Sequence, residues 1–107
     1  MVIRILDVVP DCNSWNKGEM VFGVIQKAFK DNTELVISFE GVDDVPSAFV
    51  NAAFLPLLDT YDFEEIRKRL KFVNSTRQIN DMIRRRFSFE AAARAKPPNQ
   101  VDVNRRA

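Results

Sequence analysis

The sequence predicts a single compact α/β sandwich, with helices packed on a mixed β-sheet of three to five strands. Apolar runs rich in Val, Ile and Leu alternate along the chain with segments whose apolar residues recur at helical spacing, which is the pattern of strand and helix in turn. At 107 residues the chain has the size of one domain, and a 46% hydrophobic content with nine Phe supplies one core. No apolar run reaches the roughly 20 residues that a membrane span needs. The opening segment, residues 1–11, reads as too short and too acidic for a secretory signal.

Each element has its own justification. Val2–Val9, dense in β-formers, reads as the first strand. Residues 10–17 form a polar loop containing Trp15, and residues 10–16 are the segment that would supply a fourth strand beside the first. Asn16 and Glu19 fit an N-cap with a reciprocal acid three residues on. Val21, Phe22, Ile25, Ala28 and Phe29 then share one helical face, and Asn32 tolerates the left-handed conformation of a helix end. Glu34–Glu40 is the second strand. Leu35, Ile37 and Phe39 face one way, Val36 and Ser38 the other, so the strand is expected to be central with helices on at least one side. Gly41 permits the exit turn, and Val45 is held extended by the proline after it. Pro46 suits the first position of a helix that buries Phe49, Val50, Ala53 and Phe54. Pro56 must break or kink that helix. Asp62 and Glu65 open a short helix through Lys68, Leu70–Val73 is the third strand, and Ser75 with Gln78 forms another capping pattern. Ile79, Met82, Ile83 and Phe87 give the last helix its apolar face. The domain is expected to span residues 1–94, followed by a mobile tail at 95–107 that has two prolines and no periodicity.

Composition excludes much chemistry. The chain has no histidine and one cysteine, Cys12, so Ser-His-Asp and Cys-His nucleophilic machinery and zinc sites of the Cys/His type cannot be built from it alone. A lone cysteine forms no internal disulfide, and a reduced, cytoplasmic setting is expected. Charge is divided along the chain: residues 1–60 carry four Lys/Arg against nine Asp/Glu (4 − 9 = −5), and residues 61–107 carry twelve against six (12 − 6 = +6). The division implies either a bipolar surface or charge pairing within the domain.

Four stretches carry a family likeness over roughly residues 2–90. Gly18 opens the first long helix after its loop. Ser38-Phe39-Glu40-Gly41-Val42 ends the second strand. Val45-Pro46-Ser47-Ala48-Phe49-Val50-Asn51-Ala52-Ala53 forms the element after it, and Phe72-Val73-Asn74 ends the third strand. In these the chain resembles the STAS-like domains of unknown function, distant relatives of the sulfate-transporter and anti-sigma-factor-antagonist domains. The resemblance implies a STAS-like fold and a protein partner, since some members of the family are encoded beside ATPases of the histidine-kinase type and the distant relatives bind such kinases. The chain departs from the family at Ser38, where Asp is frequent, and at Leu55 and Pro56, where Gly and a polar residue are frequent. The phosphorylated serine of the antagonists aligns with Ala48, one residue after Ser47, so no regulatory phosphate is expected on this helix.

Several residues are candidates for function, each with a plainer reading beside it. Ser47 at the start of a helix is placed where a phosphate would meet free N–H groups, and is also simply a good helix-start residue. Asp43 and Asp44 are able to hold a divalent cation or act as an acid/base pair, and equally to complement the helix dipole. Asn51, four residues after Ser47, shares its face and is expected to anchor the helix to the Trp15 loop or to Asn74 rather than to contact a ligand. Arg77, Arg84, Arg85 and Arg86 form a basic stripe that would bind polyanions or serve as a solvated face. Gly18 and Gly23 have the spacing of a phosphate loop without its Lys-Ser/Thr ending, and are not read as one. The expectation is a non-catalytic regulatory or protein-binding module, needing no metal or cofactor. Its docking surface would be Trp15, Asp43, Asp44, Ser47 and Asn51, and its partner a histidine-kinase-like ATPase. The alternative is a nucleic-acid-associated protein using the basic last helix.

Overall fold

The computed structural model describes residues 1–95, so the tail expected from residue 95 lies, beyond Ala95 itself, outside the described residues. In chain order the elements are β1 (Val2–Arg4), α1 (Ile5–Val8), α2 (Trp15–Asp31), β2 (Leu35–Ser38), α3 (Ser47–Ala53), a 3-10 segment (Leu55–Asp59), α4 (Phe63–Arg69), β3 (Leu70–Val73) and α5 (Arg77–Ala95). The expected α/β sandwich is present. Its sheet has three strands in the order β1-β2-β3, with β2 central as expected. All strands run parallel where a mixed sheet was expected. The reason is that every connection between strands contains helix, which returns the chain to the same end of the sheet before the next strand starts.

The pleat separates two faces. Ile3, Leu35, Ile37, Phe39 and Leu70 are buried on one face. Val2, Lys71 and Val73 are exposed on the other. Phe54, which follows α3, lies with its ring centroid 6.2 Å from Phe39 and 5.4 Å from Phe72, so α3 is seated on the buried face.

Five local expectations change. The strand expected over Val2–Val9 stops at Arg4 and turns into α1, closed by Val9 N–H donating to Ile5 O at 3.0 Å. Extended alternation from Ile3 would send Asp7 into the core with Ile5 and Val9. The helical turn keeps Ile5 and Val9 buried and places Asp7 outside, 2.8 Å from Arg4. Residues 10–14 are loop rather than a fourth strand, and Ser14, not Asn16, caps α2 by accepting from Lys17 N–H at 3.3 Å. Asn32 ends α2 in extended geometry (φ −129°) rather than left-handed, with its side-chain amide donating to Ala28 O at 2.8 Å. Pro46 is the N-cap of α3 rather than its first residue, and the helix stops at Ala53, with the chain passing into the 3-10 segment that contains Pro56.

One structural residue carried no sequence signal. Arg69, at the end of α4, donates to the carbonyls of Phe29 and Asn32 at the C-terminus of α2, and its guanidinium carbon lies 4.0 Å from the Phe29 ring centroid. It closes the carbonyl end of α2, where cations are favoured.

Candidate functional site at the start of α3

In an open parallel sheet the strand C-termini deliver their following loops to one end, where ligands and partners are usually met. Here the loop after α1, residues 9–14, and the loop after β2, residues 39–46, meet at that end. Leu6, Asp11, Cys12, Gly41, Asp43 and Asp44 line a depression of ≈ 260 Å³ between them. Gly41 makes the turn possible. Its φ is +88°, a conformation side chains rarely adopt, and a Cβ there would lie 2.9 Å from Leu6 Cδ1.

The segment leading into α3 exposes Asp43, Asp44 and Pro46 around a buried Val45, and it is firmly held. Thr76 Oγ1 donates to Asp43 O at 2.8 Å and accepts from Ile79 N–H at 3.2 Å, so one hydroxyl both caps α5 and fixes the loop. Gln78 makes a two-way clamp: Val45 N–H donates to its Oε1 and its Nε2 donates to Val45 O, each at 2.9 Å. The expected Ser75/Gln78 capping pattern is thus displaced by one residue, with Thr76 capping and Gln78 freed to bind a backbone 33 positions away. The spacing of the cap drew notice to Gln78; its actual partner had no local signal. Behind the loop, β2 is joined to β3 by Asn74, whose side-chain amide donates to the buried Ser38 hydroxyl at 3.0 Å.

Helix α2 is set against α3 by Gly18. A Cβ at this position would lie 2.7 Å from both Ala52 Cβ and Phe49 O, so only glycine permits this approach. Trp15 is the first residue of α2 and is 48% exposed, three residues before that contact. The neighbouring loop is tied to the same helix turn by Asp11, whose two carboxylate oxygens lie 3.1 and 3.0 Å from Lys17 Nζ. The Lys17 ammonium, with the Asn13 N–H, holds the Asp11 carboxyl below the usual carboxylate range.

The structure thus brings Asp43 and Asp44 into one depression, with Ser47 exposed at the head of α3. Asp11 has its lysine, whereas Asp43 and Asp44 have no ion-pair partner among the described residues. Asn51 does anchor its helix, but to neither expected partner: its Oδ1 accepts from Arg86 Nε at 2.8 Å. This contact joins the two candidate sets that the sequence kept apart. Of the basic stripe, Arg84 is paired with Asp81 at 2.7 Å and Arg86 is half-buried, its guanidinium 5.4 Å from the Phe89 ring centroid, while Arg77 and Arg85 are exposed. Among the described residues no group of three or more carboxylates and thiols is placed to hold a metal ion.

Cys12 lies at the inner wall of the depression and is 3% exposed. Burial pushes its thiol up to about 11, with the Asp11 charge adding to the shift. At pH 8 only about one thiol in a thousand is then ionised. Native protein is expected to react with iodoacetamide far more slowly than protein in 8 M urea (a denaturant level, roughly). Equal rates would show that Cys12 is accessible.

Among the described residues, no helix is long and apolar enough to cross a membrane. No curated protein and no solved structure matches the chain. The family model of the STAS-like domain of unknown function (DUF4325) matches residues 17–80, from the first turn of α2 through the Thr76–Gln78 clamp. That span includes the glycine contact at α2, the loop through Asp43 and Asp44, and the whole of α3. With more than half of its length matched, the chain belongs to the family of STAS-like domains of unknown function.

Proposed function

We propose that the protein is a non-catalytic regulatory or protein-binding module that docks a partner at the start of α3, the partner being an ATPase of the histidine-kinase type. The observation that carries this reading is the two-way clamp of Gln78 on Val45. It holds the buried Val45 and so fixes the exposed polar residues on either side, Asp43, Asp44 and Ser47, without occupying their side chains. A surface already held in one conformation avoids much of the ordering cost of association. The carboxylates of Asp43 and Asp44, without an ion-pair partner among the described residues, give it a sign, so the partner's facing surface should be basic. Exposed Trp15 offers the large aromatic contact common at interface centres.

Asp44→Arg reverses the local charge on an exposed side chain and leaves the clamp in place. Capture of the partner from native lysate should fall about tenfold, a typical cost for opposing an interface charge. Identification by mass spectrometry shows whether the recovered protein is an ATPase of the expected kind. Undiminished recovery of the same protein would place the docking site elsewhere.

The alternative, nucleic-acid association through α5, has weaker support, because Arg84 and Arg86 are already engaged within the domain. Affinity for DNA or RNA at physiological salt should be no better than about 10⁻⁴–10⁻⁶ M and should fall steeply as salt rises. Anisotropy across a salt series reads this directly, and nanomolar, sequence-selective binding would favour the alternative.

A further inference from the structure

Glu19, Gly23 and Lys27 stand at four-residue steps along α2 and form one ridge on the side of the helix turned away from the core. All three are exposed, whereas Val21, Ile25, Ala28 and Phe29 of the same helix are buried. A glycine weakens the middle of a helix relative to alanine. Nothing inside the domain calls for one here, since a Cβ on Gly23 would meet nothing within 4 Å. Gly18 is the opposite case, because it lets α3 approach. Glu19 and Lys27 are of opposite sign and equally spaced on either side of Gly23. Neither has an ion-pair partner among the described residues. Met20, 54% exposed, flanks the ridge.

A ridge that reads acid, glycine, base is complementary to itself when one copy is reversed. We infer that the outer face of α2 is an interface between two copies of this chain, the helices crossing antiparallel at Gly23 about a twofold axis. Glu19 of each copy then faces Lys27 of the other, so two ion pairs bracket the crossing point. A parallel arrangement would set Glu19 against Glu19 and Lys27 against Lys27, so the charges also select the direction. At the crossing point glycine faces glycine, and the helix axes approach to about 8 Å, the near end of the usual spacing. Met20, three residues before Gly23, lies over Gln26 of the other copy, three residues after it. One helix crossing is small beside the about 1,200–2,000 Å² of a stable interface, so the dimer is transient, with a dissociation constant of about 0.1–1 mM. At the micromolar concentrations of an unfolding experiment the chain is therefore monomeric. The contact is separate from the depression at Asp43 and Asp44 and does not rest on the docking proposed there.

Sedimentation equilibrium of the full chain, from about 10 μM to about 1 mM, reads the proposal directly. The wild type is expected to pass from monomer toward dimer across this range. Glu19→Lys and Lys27→Glu each place two like-charge pairs at the crossing, and each should weaken self-association at least tenfold. Two further samples restore the pairing. The double variant Glu19→Lys, Lys27→Glu exchanges the charges within one chain and should dimerise as the wild type does. An equimolar mixture of the two single variants should form a heterodimer, since one chain then carries two bases and the other two acids. Gly23→Leu fills the gap on an exposed helix face and should abolish association while circular dichroism shows the chain folded. A wild type that stays monomeric at about 1 mM overturns the proposal and leaves the ridge to solvent or to a different protein. So does self-association that Glu19→Lys and Lys27→Glu leave unchanged, which would place the interface on another face. Failure of both the double variant and the mixture to restore the dimer overturns it as well.

Discussion

Replacing Phe54 by Ala is expected to cost about 3–5 kcal/mol, the range for removing a fully buried aromatic ring. Phe54 is 0% exposed and sits where α3 gives way to the 3-10 segment. Its ring meets Phe39 of the β2 end, Phe49 of α3 and Phe72 of β3, at centroid distances of 6.2, 6.3 and 5.4 Å. The substitution therefore removes a junction between the sheet and the helix that carries the docking surface. Domains of this size are commonly stable by about 5–15 kcal/mol, so the variant should be close to unfolding or partly unfolded at 37 °C. Urea unfolding followed by far-UV circular dichroism measures the loss. A change below about 1 kcal/mol would mean that the aromatic cluster does not hold α3 in place.

The second large effect is a pair of opposite signs on one helix. Gly18→Ala should destabilise by about 1–3 kcal/mol, because the new methyl would overlap Ala52 Cβ and Phe49 O, and neither is the end of a flexible side chain. Gly18→Leu should cost more and push α2 off α3. Gly23→Ala, five residues on, meets nothing within 4 Å and should stabilise by about 0.5–1 kcal/mol, the ordinary gain on removing a helical glycine. Denaturant midpoints of the two variants give the comparison. Equal shifts would show that α2 and α3 do not approach as closely at Gly18 as the distances state.

The alternation of apolar runs was sufficient to read the α/β class and the central place of β2, because burial imposes periodicity directly on the sequence, and the break after α3 was legible from Pro56, which cannot continue a helix. The end of β1 was not legible in the same way. Val2–Val9 has the composition of a strand, and only the clash of Asp7 with the core reveals the turn at Ile5. The capping pattern at Asp62 was found in place, its carboxylate accepting from Glu65 N–H, and the other two lay one or two residues off. Ser14 and Asn16 compete for the start of α2, as Ser75 and Thr76 do for α5, and the winner is decided by tertiary partners. For the candidate site, Asp43, Asp44, Ser47 and Trp15 were legible as polar or aromatic residues at element boundaries. What holds them was not: Gln78 on Val45 and Arg86 on Asn51 join positions 33 and 35 residues apart, beyond any local pattern.

The Arg86–Asn51 bond also shapes the decisive test. Removing the whole basic stripe would disturb α3, so the comparison should leave Arg86 in place. Capture of the partner from native lysate, quantified by mass spectrometry, should be run side by side for the wild type, Asp44→Arg, and the triple variant Arg77→Gln, Arg84→Gln, Arg85→Gln. A docking surface at the start of α3 predicts recovery reduced about tenfold with Asp44→Arg and unchanged with the triple variant. Recovery kept by Asp44→Arg and lost with the arginines would contradict it and move the functional surface to α5.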